Sequence, residues 1–99
     1  NDTTLGWWTS APESTRHHLR EYLATDGRAV HWDLIRAACA SVADTAVYPL
    51  QDVMGLDGAH RMNFPGQSSG WWVWRFAWEQ VPADAAARLR RLCELYDRL

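Results

Sequence analysis

The sequence predicts an α/β chain, mostly helical with one buried parallel strand, and three observations predict it. Apolar residues recur at helical spacing in three stretches: Leu19, Tyr22 and Leu23; Val30, Leu34, Ile35, Ala38 and Val42; and Leu89, Leu92, Cys93, Tyr96 and Leu99. Between the second and third lies Thr45-Ala46-Val47-Tyr48-Pro49-Leu50, whose continuous hydrophobicity fits a strand covered on both faces. Helices around a single strand cannot bury its second face, so the chain reads as the tail of a larger α/β protein.

Taken in order, residues 1–9 read as a loop containing Gly6-Trp7-Trp8. Ser10-Ala11-Pro12-Glu13 is a helix-start signature, with Ser10 as cap, Pro12 in the first turn and Glu13 closing a capping box. Asp26-Gly27 stops that helix. A second helix is expected over residues 30–42, its small aliphatic face suited to packing on a sheet. The strand follows and should end at Pro49, which cannot donate a ladder bond. Gln51 and Asp52 then stand just past its C-terminal end, ahead of a glycine-rich loop over 53–70 with one helical turn near Val53. Residues 71–78 place Trp72, Trp74, Phe76 and Trp78 on alternate positions, the period of an extended chain, and such a stripe reads as core that anchors the last helix. That helix starts near Pro82.

Composition narrows the function classes. A net charge of −2 over 99 residues gives no basic surface for nucleic acid or an anionic membrane. No apolar run approaches a membrane span and no signal-peptide pattern is visible, so the expected location is cytoplasmic. Cys39 and Cys93 stand apart inside helical patterns and read as buried thiols. His17 and His18 diverge on their helix, and His31 and His60 lack partners at ligand spacing, so neither metal nor cofactor is expected.

The segment Arg61-Met62-Asn63-Phe64-Pro65-Gly66, followed by Gly70-Trp71-Trp72-Val73-Trp74-Arg75, carries the functional signal. It joins a turn bearing a free amide to three of the seven tryptophans, with Trp78 just beyond. Sugars offer an apolar C–H face to aromatic rings and a rim of hydroxyls to amides and carboxylates. Asn63 can donate and accept at once, and Pro65-Gly66 lets the backbone approach a ligand closely.

Three separated motifs sharpen this: Asn1-Asp2-Thr3-Thr4 with Gly6-Trp7-Trp8; Tyr48-Pro49-Leu50-Gln51-Asp52-Val53-Met54-Gly55-Leu56; and Arg61-Met62-Asn63 with Pro65-Gly66, then Trp74-Arg75. In this order and spacing the chain resembles the C-terminal part of the 4-alpha-glucanotransferases, also called amylomaltases or disproportionating enzymes. The resemblance implies about the last quarter of a (β/α)₈ barrel over residues 1–99: the loop after strand seven, helices, strand eight and a final helix. It implies transfer of α-1,4-glucan segments to the 4-hydroxyl of an acceptor glucan or glucose by retaining double displacement. The partners it implies are α-1,4-glucan donor and acceptor and the N-terminal part of the barrel.

The family's third catalytic carboxylate belongs to a His-Asp pair immediately ahead of the position matched by Asn1, and the other two lie further upstream. No catalytic residue is therefore expected in this chain. The resemblance places Asn1 beside the site as a loop-fixing residue and makes Trp7 a sugar platform, with either Trp7 or Trp8 packing under the loop. Gln51 and Asp52 fall on the face that holds chemistry, either bonding sugar hydroxyls or holding neighbouring carboxylates. Asn63, Pro65 and Gly66 are the direct-contact candidates. Trp71-Trp72 stands where the family has Asn-Trp, so position 71 lacks the family's amide.

On their own, the 99 residues are expected to be inactive and poorly folded, because the strand lacks partners. Two other classes of function compete. Aromatic-rich surfaces serve non-catalytic carbohydrate-binding modules, and the tryptophans could equally be the core of a purely structural helical domain.

Overall fold

The computed structural model describes residues 2–99. Five α-helices follow in order: α1 (Thr4–Ser10), α2 (Glu13–Leu23), α3 (Val30–Cys39), α4 (Leu50–Val53) and α5 (Ala85–Leu95). Short 3-10 turns form at Gly58–His60 and Trp78–Gln80. Among the described residues there is no β-strand.

The loop expected over residues 1–9 is instead largely α1. Its start is capped twice: the Thr3 hydroxyl accepts from Gly6 N at 3.0 Å, and the Asp52 carboxylate accepts from Thr4 N at 2.8 Å. Both acceptors satisfy N–H groups that a helix start leaves unpaired, and the carboxylate also meets the positive end of the helix dipole. A cap delivered from residue 52 is invisible to local reading. Ser10 ends α1 rather than starting α2, with its hydroxyl donating back to the Gly6 and Trp7 carbonyls. The expected capping box at Ser10 therefore does not form. Glu13 instead binds Arg20 and Arg16, and these guanidinium bonds hold its carboxyl below its ordinary pKa.

Helix α2 ends at Ala24 in the left-handed region (φ 52°), three residues before the expected glycine. Gly27 serves packing, since a Cβ there would lie 2.7 Å from the Trp8 ring.

Helix α3 supplies most of the core. Its Trp32, Ile35 and Cys39 pack with Val53 of α4 and with Ala85 and Leu92 of α5, edged by Tyr48, Leu50, Leu89 and Tyr96. The stripe read from the sequence is thus correct at Val30 and Ile35, but Val42 lies beyond the helix and is fully exposed. The helix stops at Cys39 because Arg98 takes its terminal carbonyls. The Arg98 Nε donates to Cys39 O and its Nη2 to Ala43 O, both at 2.7 Å, with Ser41 O at 3.2 Å. A planar guanidinium with five donors matches such a cluster of carbonyls.

The buried strand over Thr45–Leu50 is not formed. Val47 is 84% exposed, and ladder bonds need a neighbouring chain that the described residues do not supply. Leu50 opens α4 instead, with Pro49 at its cap, where the missing N–H costs nothing. Tyr48 is fastened inward: its hydroxyl lies 2.9 Å from Cys39 Sγ, and burial together with that bond pushes the phenol up to about 12.

Residues 71–77 also form no strand. Trp72 adopts φ 65°, which breaks the alternation. Beyond it, Trp74 stacks on Phe76 (centroids 5.4 Å apart) and Phe76 meets Trp78 edge-on (5.1 Å). The reading of this stripe as core is overturned at Trp72 and Trp78, which are 70% and 76% exposed. In α5, Ala85 and Leu92 are buried, whereas Leu99 lies past the helix and faces solvent.

Candidate functional site

Helix α4, the chain ahead of α1 and the segment after the Gly58–His60 turn converge on a cleft of about 320 Å³. It is lined by Asp2, Thr3, Pro49, Gln51, Asp52, Arg61, Met62 and Asn63. Past Gln51 and Met62 the concave surface continues to Trp74, Arg75 and Phe76. A polar floor therefore adjoins an aromatic wall.

Asp2, Gln51, Asp52 and Arg61 are each held by identifiable bonds. Asp52 commits one carboxylate oxygen to Thr4 N. Gln51, buried in α4, donates its amide N–H to the His60 carbonyl at 3.2 Å, tying α4 to the 3-10 turn. Asp2 accepts from Thr3 N at 2.7 Å and pairs with Arg61 at 3.7 Å. Its carboxylate rests against Gly58, where a Cβ would lie 2.8 Å from Oδ1, so a larger residue there would displace it. Arg61 also donates to Gly58 O at 3.0 Å and covers the Phe64 ring at 4.3 Å. Asn63 lines the cleft, half-buried, and its amide makes no hydrogen bond among the described residues. Behind α4, His31 packs on Gly55; burial, and secondly the Arg88 charge, lower its pKa.

Of the residues singled out from the sequence, Gln51, Asp52 and Asn63 are brought together here. Trp7 is not among them: it borders an apolar groove with Leu19, Tyr22 and Leu34. Its neighbour Trp8 packs on Gly27 with Arg20 over its ring at 5.8 Å, so Trp8 is the one packed beneath. Pro65 and Gly66 lie exposed on the adjoining loop, away from the cleft lining. Gly66 adopts a φ of 84°, a conformation that favours glycine, and open space lies where a Cβ would stand. Asn1 lies outside the described residues. Trp71 closes the loop internally, donating to Gln67 Oε1 at 3.1 Å and packing on Phe64.

The lining residues Asp2, Thr3, Pro49, Arg61 and Met62 were not among the expected contacts. Adjacency to Asn63 was the available signal for Arg61 and Met62; for Thr3 there was none. Among the described residues no cluster of His, Cys, Asp or Glu could hold a metal ion. Both carboxylates accept from backbone N–H groups, Asp2 from Thr3 and Asp52 from Thr4.

Comparison with known proteins agrees with the motifs. The chain is 40% identical over 99 residues to the 4-alpha-glucanotransferase of a Synechocystis strain, with 99% of this chain and 20% of that protein covered. It is 41% identical over 105 residues to that of Thermus thermophilus, with 100% of this chain and 21% of the relative covered. The chloroplastic/amyloplastic enzyme of Oryza sativa subsp. japonica is 41% identical over 104 residues, with 100% of this chain and 17% of the relative covered. The chain thus spans about a fifth of the length of the curated relatives it matches. An amylomaltase from Streptococcus agalactiae, solved in complex with acarbose, superposes with a TM-score of 0.92 at 23% identity over 99% of this chain and 20% of that one, a likeness of fold. A model of the 4-alpha-glucanotransferase family matches residues 1–81, the portion that holds α1, the cleft and the whole aromatic wall. By motif, sequence and fold alike, the chain belongs to the 4-alpha-glucanotransferase family.

Proposed function

We propose that this chain forms part of the glucan-binding wall of a 4-alpha-glucanotransferase built on a (β/α)₈ barrel, acting inside the cell, in the cytoplasm, on maltodextrins. In this reading the enzyme passes α-1,4-glucan segments to an acceptor 4-hydroxyl by retaining double displacement. The nucleophile, the acid/base and the third carboxylate come from the part of the barrel that precedes this segment. The observation that carries the reading is the convergence of Asn63 with Gln51 and Asp52 in one cleft, beside the stacked Trp74 and Phe76.

The roles follow from the geometry. Asn63 offers a donor and an acceptor to a pair of sugar hydroxyls. The second oxygen of Asp52 is open to another hydroxyl, while its first keeps α1 in register. Trp74 and Phe76 cover an apolar sugar face and exclude water, which favours a bound acceptor over hydrolysis. Expressed with the complete barrel, Asn63→Ala should lower kcat/KM on maltotriose about tenfold, the scale of a lost hydrogen bond to a hydroxyl, with its melting midpoint unchanged. Unchanged kinetics would sink the assignment. Fractionation of the producing cells checks the compartment.

One observation favours a second reading, a non-catalytic carbohydrate-binding module: both cleft carboxylates are held by backbone N–H groups. Saturable tryptophan quenching by maltoheptaose, without transfer by the complete protein, would favour that reading.

A further inference from the structure

We infer that His60 is a positioning residue for the aromatic wall, holding Trp74 by a hydrogen bond that only the neutral imidazole can accept; the inference rests on the glucan-binding reading above. The indole Nε1 of Trp74 lies 3.0 Å from His60 Nδ1. An indole N–H only donates, so Nδ1 is the acceptor and the ring proton sits on Nε2. The two rings meet edge-on at 85°, which fixes the plane of the indole as well as its place.

His60 is itself anchored on both sides. Its N–H donates to Asp57 O at 3.1 Å, and its carbonyl accepts from buried Gln51. Trp74 has no comparable support, for it stands on a segment without helical or ladder bonds. A continuous chain of contacts therefore runs from Gln51 on the polar floor through His60 and Trp74 to Phe76. A proton taken from solvent onto Nδ1 occupies the lone pair that receives the indole N–H, and the bond breaks. The charged side chains on the elements around His60 are Asp52 on α4, Asp2 ahead of α1, Asp57 and Arg61 on its own segment, and Arg75 beside Trp74. None of them makes the ring bond, which belongs to Trp74.

The test compares wild type, His60→Leu and His60→Asn in the full chain that contains this segment. Asparagine places an amide oxygen near the position of Nδ1 without titrating there. Maltoheptaose binding is followed by tryptophan fluorescence, and KM and kcat for maltotriose transfer are measured from about pH 5 to 8. Wild type should lose about tenfold in glucan affinity toward the acid end, the scale of one hydrogen bond and the ring it orders. His60→Leu should bind weakly at every pH, raising KM more than it lowers kcat. His60→Asn should bind as wild type does at pH 8, with the acid loss removed. Equal affinity in wild type and His60→Leu, or failure of asparagine to restore it, overturns the inference while leaving the glucan reading intact. Absence of glucan binding by wild type at any pH overturns both.

Discussion

Trp32 and Trp78 put the same side chain to opposite uses. Trp32 sits on α3, buried in the core between α4 and α5, with Arg88 over its ring at 4.6 Å. Trp78 stands at the end of the aromatic run, exposed, touching Phe76 by an edge. The difference lies in the backbone beneath them. A helix satisfies its own N–H and C=O groups, so it can press a ring into an apolar interior. The segment from 61 to 77 makes few backbone bonds, chiefly Trp72 N to Met62 O at 2.5 Å and the turn from Gln67 N to Phe64 O, and must stay near solvent. Trp72 on that segment is accordingly 70% exposed.

Substitution can break this comparison. In the complete protein, Trp32→Ala should cost about 3–5 kcal/mol in urea unfolding. Trp78→Ala should stay within about 0.5 kcal/mol. Equal losses would mean that the aromatic wall is core after all.

A smaller effect sharpens the account of how the helical part is closed. Arg98→Ala should cost about 2 kcal/mol, because it strips hydrogen bonds from carbonyls that water partly re-satisfies. Arg98→Lys should recover only a fraction, since one ammonium cannot reproduce a planar fork. Full recovery by lysine would reduce the clamp to charge alone.

The smallest effect concerns pH. Burial, then Arg88, lowers the His31 pKa below its ordinary 6.5, so the unfolded chain takes up the proton more readily. The stabilising contribution is present above that value and is lost as pH falls through it toward the lower folded pKa. The urea midpoint of wild type should therefore drop on acidification from neutrality, and His31→Gln should drop less. Parallel slopes would remove His31 from the explanation.

The parts of the fold legible in the sequence are those whose causes are local. The stripe Val30 and Ile35 in α3 and Leu92 in α5 follows helical period and is buried, with Leu89 and the cap residue Tyr96 packed against the core. Helix α1 was hidden because Gly6-Trp7-Trp8 looks like loop and its cap comes from Asp52. The run at Thr45–Leu50 has the composition of a strand, but composition cannot supply the neighbour that a ladder needs. In the cleft, Gln51, Asp52 and Asn63 were legible as motif residues. Trp7, from another of the three motifs, turns toward α2 and α3, because a helix, unlike a loop, fixes the direction of each side chain.

The double engagement of Asp52 has a consequence for how this protein tolerates change. One of its oxygens starts α1, and the residue also lines the cleft. A genetic selection for stability and a separate selection for glucan transfer would both reject most replacements at this position. At Asn63, whose side chain makes no hydrogen bond among the described residues, only the second selection would object. Sequence drift at the cleft is thus open on one side and closed on the other, and new specificities should arise through position 63 before position 52.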